Sequence, residues 1–545
     1  VSAVAHVTLA GGRRRRRAVL PPARSSWAIT AVLAAAYLIA APPSSDLAAA
    51  AYRSDLFARA GFTLWDNSWY GGHHLPAYSL LSPALGALLT PQLVAALSMT
   101  AAAALFPLLV EGEFPRGAVR LACAWFALGA GIQLLSNRIP FDLGLALGLA
   151  ALVGARRGRT AAAAVLAALT AVASPVAGAF LALALLAWAL AGRDRLRPVL
   201  LAAAALVPIA LLEALFPEGG TQPFVASAFY PALAGVLLIA VAAPARPGAL
   251  RTGALLYALA MTAAYVLSTA VGANADRLGA VFGAPAAALV LYGSLHEARG
   301  RLLLVLAPAL LYWQANAPVS DFASAAGDPA VHESYYQPLL RELHALGVGY
   351  RGVPARIEAV PSPDHWEARW LAPAIPLARG WERQLDRLRN PLFYSGAPLT
   401  APAYGAWLHA QSVSYVALPD SPLDYSAVAE GRLLRSGRAS AYVRPLWRSP
   451  HWQLFAVAGP QPLAQPPATL ARMTTDSFTL RVPRAGPYAV RIHFTPYWAL
   501  AAGSRGCVGE APGEWTAVTA PAAGSYRVVI SFSLGRVLSH GARCR

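Results

Sequence analysis

The residues best suited to chemistry cluster in one short stretch, DLFARAGFTLWDNSWYGGHHLPAYS, from Asp55 to Ser79. It holds two acids, Asp55 and Asp66, two adjacent histidines, His73 and His74, and the aromatics Trp65, Trp69 and Tyr70. A carboxylate beside a substrate hydroxyl can take its proton as a new bond forms, and an apolar wall nearby would raise its pKa toward a useful range. Arginine fits phosphate oxygens as a two-toothed fork, which makes Arg138 and Arg277 candidates for a phosphate, with Arg53 behind them. Trp65, Trp69 and Tyr70 offer flat apolar faces to a ligand, and His73 and His74 join them as substrate-contacting candidates. Adjacent histidines rarely aim at one ion and no third ligand is spaced nearby, so a metal site is not read from them. Each residue also has an ordinary alternative. Asp55 and Arg59 are spaced for a helix-surface pair, Asp66-Asn67 for a turn or cap, and the aromatics for a membrane-interface belt.

The elements that must position these groups follow from composition. Of 545 residues, 57% are hydrophobic and 13% charged. A soluble chain would carry about twice that share of charge. Long Ala/Leu/Val runs over residues 25–315 predict a polytopic α-helical membrane protein. Spans are expected at about 25–42, 92–110, 118–135, 139–154, 160–173, 175–191, 198–216, 226–243, 250–271, 277–294 and 301–315, with 43–78 a long first loop and 79–90 a short piece that does not cross. The net charge of +18 is carried by arginine, and the chain has no lysine. The arginine-rich stretches GGRRRRR, ARRGR, GRDRLR, PARPGALR and HEARGR then share one side. The positive-inside rule makes that side cytoplasmic, with residues 1–24 a basic anchor there rather than a nucleic-acid arm. The pair 160–173 and 175–191 is short and reads as a tilted or shielded hairpin. No internal repeat is visible.

From about residue 316 the prolines, charges and aromatics rise. Residues 316–462 read as an extracytoplasmic α/β domain. Helices are expected over YYQPLLRELHALGV, in ARGWERQLDRLRN with Trp381, Leu385 and Leu388 on one face, and at the start of APAYGAWLHAQSVSYVALPD. Strands are expected at ARIEAV, the end of that last segment and HWQLFAVAG. Residues 463–545 read as a small sandwich-like β domain. In it Tyr488, Val490, Ile492 and Phe494 face one way and Arg491 and His493 the other, with Tyr526, Val528, Ile530, Phe532 and Leu534 repeating the pattern. Cys507 and Cys544 flank its end and suit a disulfide if that region is exported. Cys123 lies in an apolar run and reads as inert packing. HWEARW and RGWERQLD are exposed candidates for gripping a glycan, or ordinary core and surface.

A long loop after span 1, with a W-D-x-x-W-Y-x-G run ending in P-x-Y-S, resembles the GT-C superfamily of integral-membrane glycosyltransferases. More narrowly, DLFARAGFTLWDNSWYGGHHLPAYSLLSP resembles the membrane family labelled 6-pyruvoyl-tetrahydropterin-synthase-related. The resemblance implies hexosyl or pentosyl transfer from a polyprenyl-phosphate-linked sugar to a hydroxyl on a cell-envelope glycan or protein acceptor, at the outer face of the cell membrane. It maps the loop acid onto Asp55, with Asp66 second; their separation departs from the near-adjacent acids of many such enzymes. A divalent metal, Mg or Mn, is compatible with the Asp oxygens. Two other readings stand beside it. One is a transporter or flippase of a lipid-linked glycan, against which stand the missing repeat, the lack of mid-span charges and the large C-terminal part. The other is a non-catalytic scaffold.

Overall fold

The computed structural model describes residues 22–244 and 248–538. The N-terminal arginine run, Arg246 of the PARPGALR loop and Cys544 lie outside the described residues. Among the described residues a 3-10 turn, Ala23–Ser25, leads into α1 (Trp27–Ala40), followed by α2 (Ser45–Ala60) and α3 (Ser82–Leu89) in and just after the first loop. It continues through α4 (Pro91–Val110), α5 (Arg116–Gln133), α6 (Ile139–Arg156), α7 (Thr160–Ala173), α8 (Pro175–Ala191) and α9 (Leu196–Leu215). Then come α10 (Ala226–Ala242), α11 (Ala249–Val266), α12 (Arg277–Leu291) and α13 (Ala298–Ala325).

A helix stands at each of the eleven expected spans, but length divides them. Seven described helices are long and apolar enough to cross a membrane: Ala23–Ala40 with α1, then α4, α5, α6, α9, α11 and α13. The other four, α7, α8, α10 and α12, have 14, 17, 17 and 15 residues. At about 1.5 Å per residue they reach about 21–26 Å, short of a hydrocarbon core of about 30 Å. Between α7 and α8, Ser174 is extended, and its hydroxyl caps α8 by accepting from the Ala177 N–H at 3.4 Å. Residues 79–90 hold only the 8-residue α3, shorter than any helix able to cross a membrane, and Pro91 starts α4 immediately after Thr90. The last span continues past residue 315 to Ala325, carrying the polar residue Asp321 on the same rod.

The α/β region holds a four-stranded sheet in the order β3-β4-β6-β5. Its strands are β3 (Arg356–Ala359), β4 (Val413–Pro419), β5 (Val443–Arg448) and β6 (Trp452–Val457), numbered after the small loop strands β1 (Trp65–Asp66) and β2 (His73–His74). β3 and β4 are parallel and the other neighbours antiparallel. Helix α14 (Glu333–Ala345) buries Tyr335, Tyr336, Leu339 and Leu343, a helical stripe. The expected amphipathic helix around Leu385 is shorter, Arg383–Arg389, and Leu388 is half-exposed instead of sharing the buried face.

The terminal unit is two facing antiparallel sheets, one of four strands and one of three. The first contains β7 (Thr469–Met473), β8 (Ser477–Val482), β10 (Trp498–Leu500) and β13 (Gly524–Ile530). The second contains β9 (Gly486–His493), β11 (Cys507–Ala511) and β12 (Trp515–Ala520). Tyr488, Val490, Ile492, Tyr526 and Val528 are buried as the alternation predicts. His493 departs from it: a register shift at Trp515/Thr516 sets Trp515 opposite, and the two rings stack at 4.2 Å with His493 buried. Phe532 is half-exposed rather than in the core, 6.1 Å from the Phe216 ring. Cys507 is disulfide-bonded, and Cys123 is buried and free.

Candidate functional site

The aromatic loop is a clamp. Trp65 is 2% exposed and sits in the core of the β unit, 5.8 Å from the Trp498 ring. Its indole N–H donates to Asn67 Oδ1 at 2.8 Å, and the Asn67 amides donate to Thr475 O (2.7 Å) and Thr474 O (2.9 Å). Gly71 and Gly72 turn the chain with φ of +77° and +116°. A Cβ on Gly72 would fall 2.3 Å from the Trp65 ring, so only glycine fits this turn. Trp69 stacks on His73 with centroids 5.3 Å apart, and the Tyr70 hydroxyl donates to Glu382 O at 2.9 Å. His74 bridges three units, with Nδ1 2.8 Å from Glu218 and Nε2 2.9 Å from Thr495 Oγ1. All five expected substrate-contacting residues, Trp65, Trp69, Tyr70, His73 and His74, are thus buried between the helical bundle and the C-terminal domains. Burial holds the His73 imidazole well below its ordinary pKa, which keeps a neutral ring beside Arg53.

The two expected acids form no ion pair with Arg138 or Arg277, and Asp66 feels Arg53 instead. Asp55, on α2, is 44% exposed at its side chain and pairs with Arg369. Asp66 is fully buried, accepting from the Tyr52 hydroxyl at 2.8 Å and the Ser68 N–H at 2.9 Å. Burial pushes its carboxyl up, against those hydrogen bonds. Arg53 is buried too, paired with Glu382 and lying 4.1 Å from the Tyr78 ring centroid. Its charge is consumed in docking α2 to the α/β domain.

A different acid meets the arginines. Asp46 occupies the first turn of α2, just after Ser44, whose hydroxyl caps the helix and also donates to Ser136 O at 3.0 Å. Arg138 Nε lies 3.6 Å from Asp46 Oδ2, and its Nη2 bonds Asp321 Oδ2 at 3.0 Å. The Ser136 hydroxyl donates to the same Asp321 oxygen at 2.7 Å. Asn137, with φ of +54°, turns α5 into α6 and aims Arg138 at this point. Its side chain accepts from the Tyr37 hydroxyl of α1. Trp381 donates its indole N–H to Ser45 O at 2.8 Å, so the α/β domain also fixes the start of α2. Arg277, at the first residue of α12, acts electrostatically on Asp46, Asp321 and Tyr78, yet forms no ion pair or hydrogen bond with a described residue. Burial raises the Asp46 pKa while Arg138 and Arg277 pull it back. Asp142, one turn into α6, is fully buried with neither oxygen bonded.

Arg138 and Arg277 thus both act on Asp46 and Asp142, not on Asp55. Sequence reasoning centred on the aromatic run passes over Asp46, although P-P-S-S-D four residues beyond span 1 is a helix-start signal. Asp321 is hidden because it rides on the extension of α13. No three His, Cys, Asp or Glu among the described residues gather to hold a metal ion. Asp46 and Asp321 are both engaged by Arg138. HWEARW and RGWERQLD are not open surfaces. His365, Trp366, Glu367, Arg379, Glu382 and Asp386 are buried, and Arg379 binds Asp386 at 2.7 Å.

No family model matches the chain, and no curated protein matches it. Among solved structures it is similar to the arabinofuranosyltransferase AftD from Mycobacteria at 17% identity and a TM-score of 0.45, over 85% of this chain and 41% of that one. A mutant form of AftD, R1389S, aligns at 17% identity and 0.44, over 81% and 42%. The archaeal oligosaccharyltransferase AglB from Archaeoglobus fulgidus, in complex with an inhibitory peptide and a dolichol-phosphate, aligns at 12% and 0.42, over 73% and 69%. The chain spans less than half the length of AftD. Likeness at this level establishes neither family nor activity.

Proposed function

We propose that the protein is a membrane glycosyltransferase that moves a sugar from a polyprenyl-phosphate donor to a hydroxyl acceptor at the extracytoplasmic face. The arginine distribution supports that orientation, with the N-terminus cytoplasmic and the C-terminal domains outside. The observation that carries the reading is one partly buried carboxylate, Asp46, beside one ion-paired guanidinium, Arg138, and under the field of a second, Arg277, which lies 5.6 Å from the Phe141 ring and has no ion pair among the described residues, where the helical bundle meets its long loop.

Each group has a task. Asp46 accepts the acceptor hydroxyl proton as the oxygen bonds to the anomeric carbon, and the bond from that carbon to the phosphate oxygen breaks. The electron pair leaves on the lipid phosphate, whose charge Arg277 is free to neutralise. Arg138, held by Asp321, orients Asp46. The proton on Asp46 then passes to water. The test is transfer of labelled sugar from polyprenyl phosphate in membranes. The wild type forms a product resistant to mild acid that releases the donor sugar, and Asp46→Asn at equal expression loses about 10²–10⁴-fold of the rate. Movement of donor across the bilayer with no new glycosidic bond would establish the flippase reading instead. Undiminished transfer by Asp46→Asn would remove this residue from the mechanism.

A further inference from the structure

A cavity separate from Asp46 lies where the first loop and both C-terminal domains meet. It has a volume of about 220 Å³ and takes Arg59 from the last turn of α2, Arg351 from the loop before β3, and Arg472 from β7. Tyr52, Ser68 and Tyr350 line it with hydroxyl groups.

The three arginines are exposed, and none forms an ion pair or hydrogen bond with another described residue. Elsewhere at domain junctions the arginines are matched, as in Arg369 with Asp55 and Arg389 with Glu514. Arg59 alone would be explained by the negative end of its helix. Arg351 and Arg472 have no such partner, and gathering three like charges around one hollow is unfavourable unless an anion enters it. The walls are fixed beforehand. Tyr350 N–H donates to Ala374 O at 2.9 Å, the Tyr350 and Ser68 hydroxyls are 2.9 Å apart, and Asn67 ties the loop to Thr475. Two acids lie beside the cavity, Asp66, which accepts from Tyr52 and Ser68, and Asp476, which accepts from the Thr474 hydroxyl at 3.2 Å; against three guanidinium groups they leave the hollow net positive.

We infer that this cavity binds the anionic group of an acidic saccharide, a sugar carboxylate or a sugar phosphate. Guanidinium forks take the charge and the hydroxyls of Ser68, Tyr350 and Thr474 take the ring hydroxyls. Its service as an acceptor subsite rests on the transferase reading; the binding itself does not.

The experiment uses the full chain in lipid nanodiscs and measures binding of digalacturonate, neutral digalactose and inorganic phosphate by calorimetry. Digalacturonate is expected to bind at least about tenfold more tightly than digalactose, and the Arg351→Gln/Arg472→Gln double variant to erase that difference. Added salt should weaken the acidic ligand and spare the neutral one. Arg59→Gln, at the rim, gives an independent variant with a smaller loss in the same direction. Equal affinity for both disaccharides, or an unchanged preference in the double variant, overturns the proposal. Phosphate binding as tightly as digalacturonate overturns the saccharide assignment. Asp46→Asn should leave binding unchanged while abolishing transfer. Binding without any transfer by the wild type would refute the enzyme reading and keep this one; transfer without binding would do the reverse.

Discussion

Trp65→Ala should release the β unit from the rest of the molecule. The ring is 2% exposed, wedged between Trp498 at 5.8 Å and His74 at 4.8 Å. A tryptophan buries roughly 150–250 Å², and at about 25 cal/mol per Å² this is about 4–6 kcal/mol of apolar transfer. The cavity left behind can relax in part, and large-to-alanine changes in cores cost about 3–5 kcal/mol. The lost indole bond to Asn67 adds to this, because Asn67 also holds the turn at Thr474–Thr475. Taking about 4 kcal/mol, and about 1.36 kcal/mol per decade, amide protection in β8, β9 and β13 should fall about 10³-fold. That exceeds a quarter of the stability of an ordinary domain. Hydrogen exchange followed by mass spectrometry on the chain in nanodiscs reads this directly. Amides in α4, α5 and α6 serve as the internal control and should keep their protection. Trp65→Phe, which refills most of the space, should fall between. Protection of the β unit unchanged within about threefold would refute the clamp, since no core can lose this ring and its bond without a cost of that order.

Other outcomes follow from the same geometry. Asp55→Asn removes one half of an exposed pair with Arg369, and such pairs contribute about 0–1 kcal/mol, so transfer activity should stay within about fivefold of wild type; a 10²-fold loss in the same membrane assay would return the catalytic role to Asp55. Burial holds Asp46 above the ordinary aspartate range, and its ionised form is the base. The rate should therefore fall on acidification at a higher pH than an exposed aspartate would give, and a pH profile of kcat/KM that is flat to about 4 would contradict this. Gly72→Ala sets a side chain at φ +116° against the Trp65 ring, and should cost at least about 1–3 kcal/mol in the same exchange measurement. Glu382, pushed by burial up to about 7 with Arg53 pulling it back, binds more protons folded than unfolded between about pH 4.5 and 7. Docking of α2 should therefore weaken as pH rises through that window, and Glu382→Gln should flatten the trend in thermal midpoint.

By itself the sequence determined where most of the helices lie. Uninterrupted apolar runs placed ten of the eleven helices within a few residues, with α13 running ten residues past its expected end, because a long Ala/Leu/Val stretch has one period and one way to satisfy its backbone. Alternation likewise placed two strands of the β unit, β9 and β13, with the inward side chains Val490, Ile492 and Val528. What the sequence left open was which polar residues meet. Asp55 and Asp46 are both acids on α2, nine positions apart and equally plausible on paper. Only the turn at Asn137, the extension of α13 and the anchor from Trp381 decide that Asp46 faces Arg138 while Asp55 faces Arg369. The aromatic loop misleads for the same reason. A buried junction between domains and a sugar-binding chamber both call for tryptophan, tyrosine, histidine and glycine, and the difference lies in contacts with Glu218, Tyr350, Glu382 and Thr495, which are distant along the chain. Local periodicity is written in neighbouring residues, whereas the partner of a charge is set by how separate helices and domains pack.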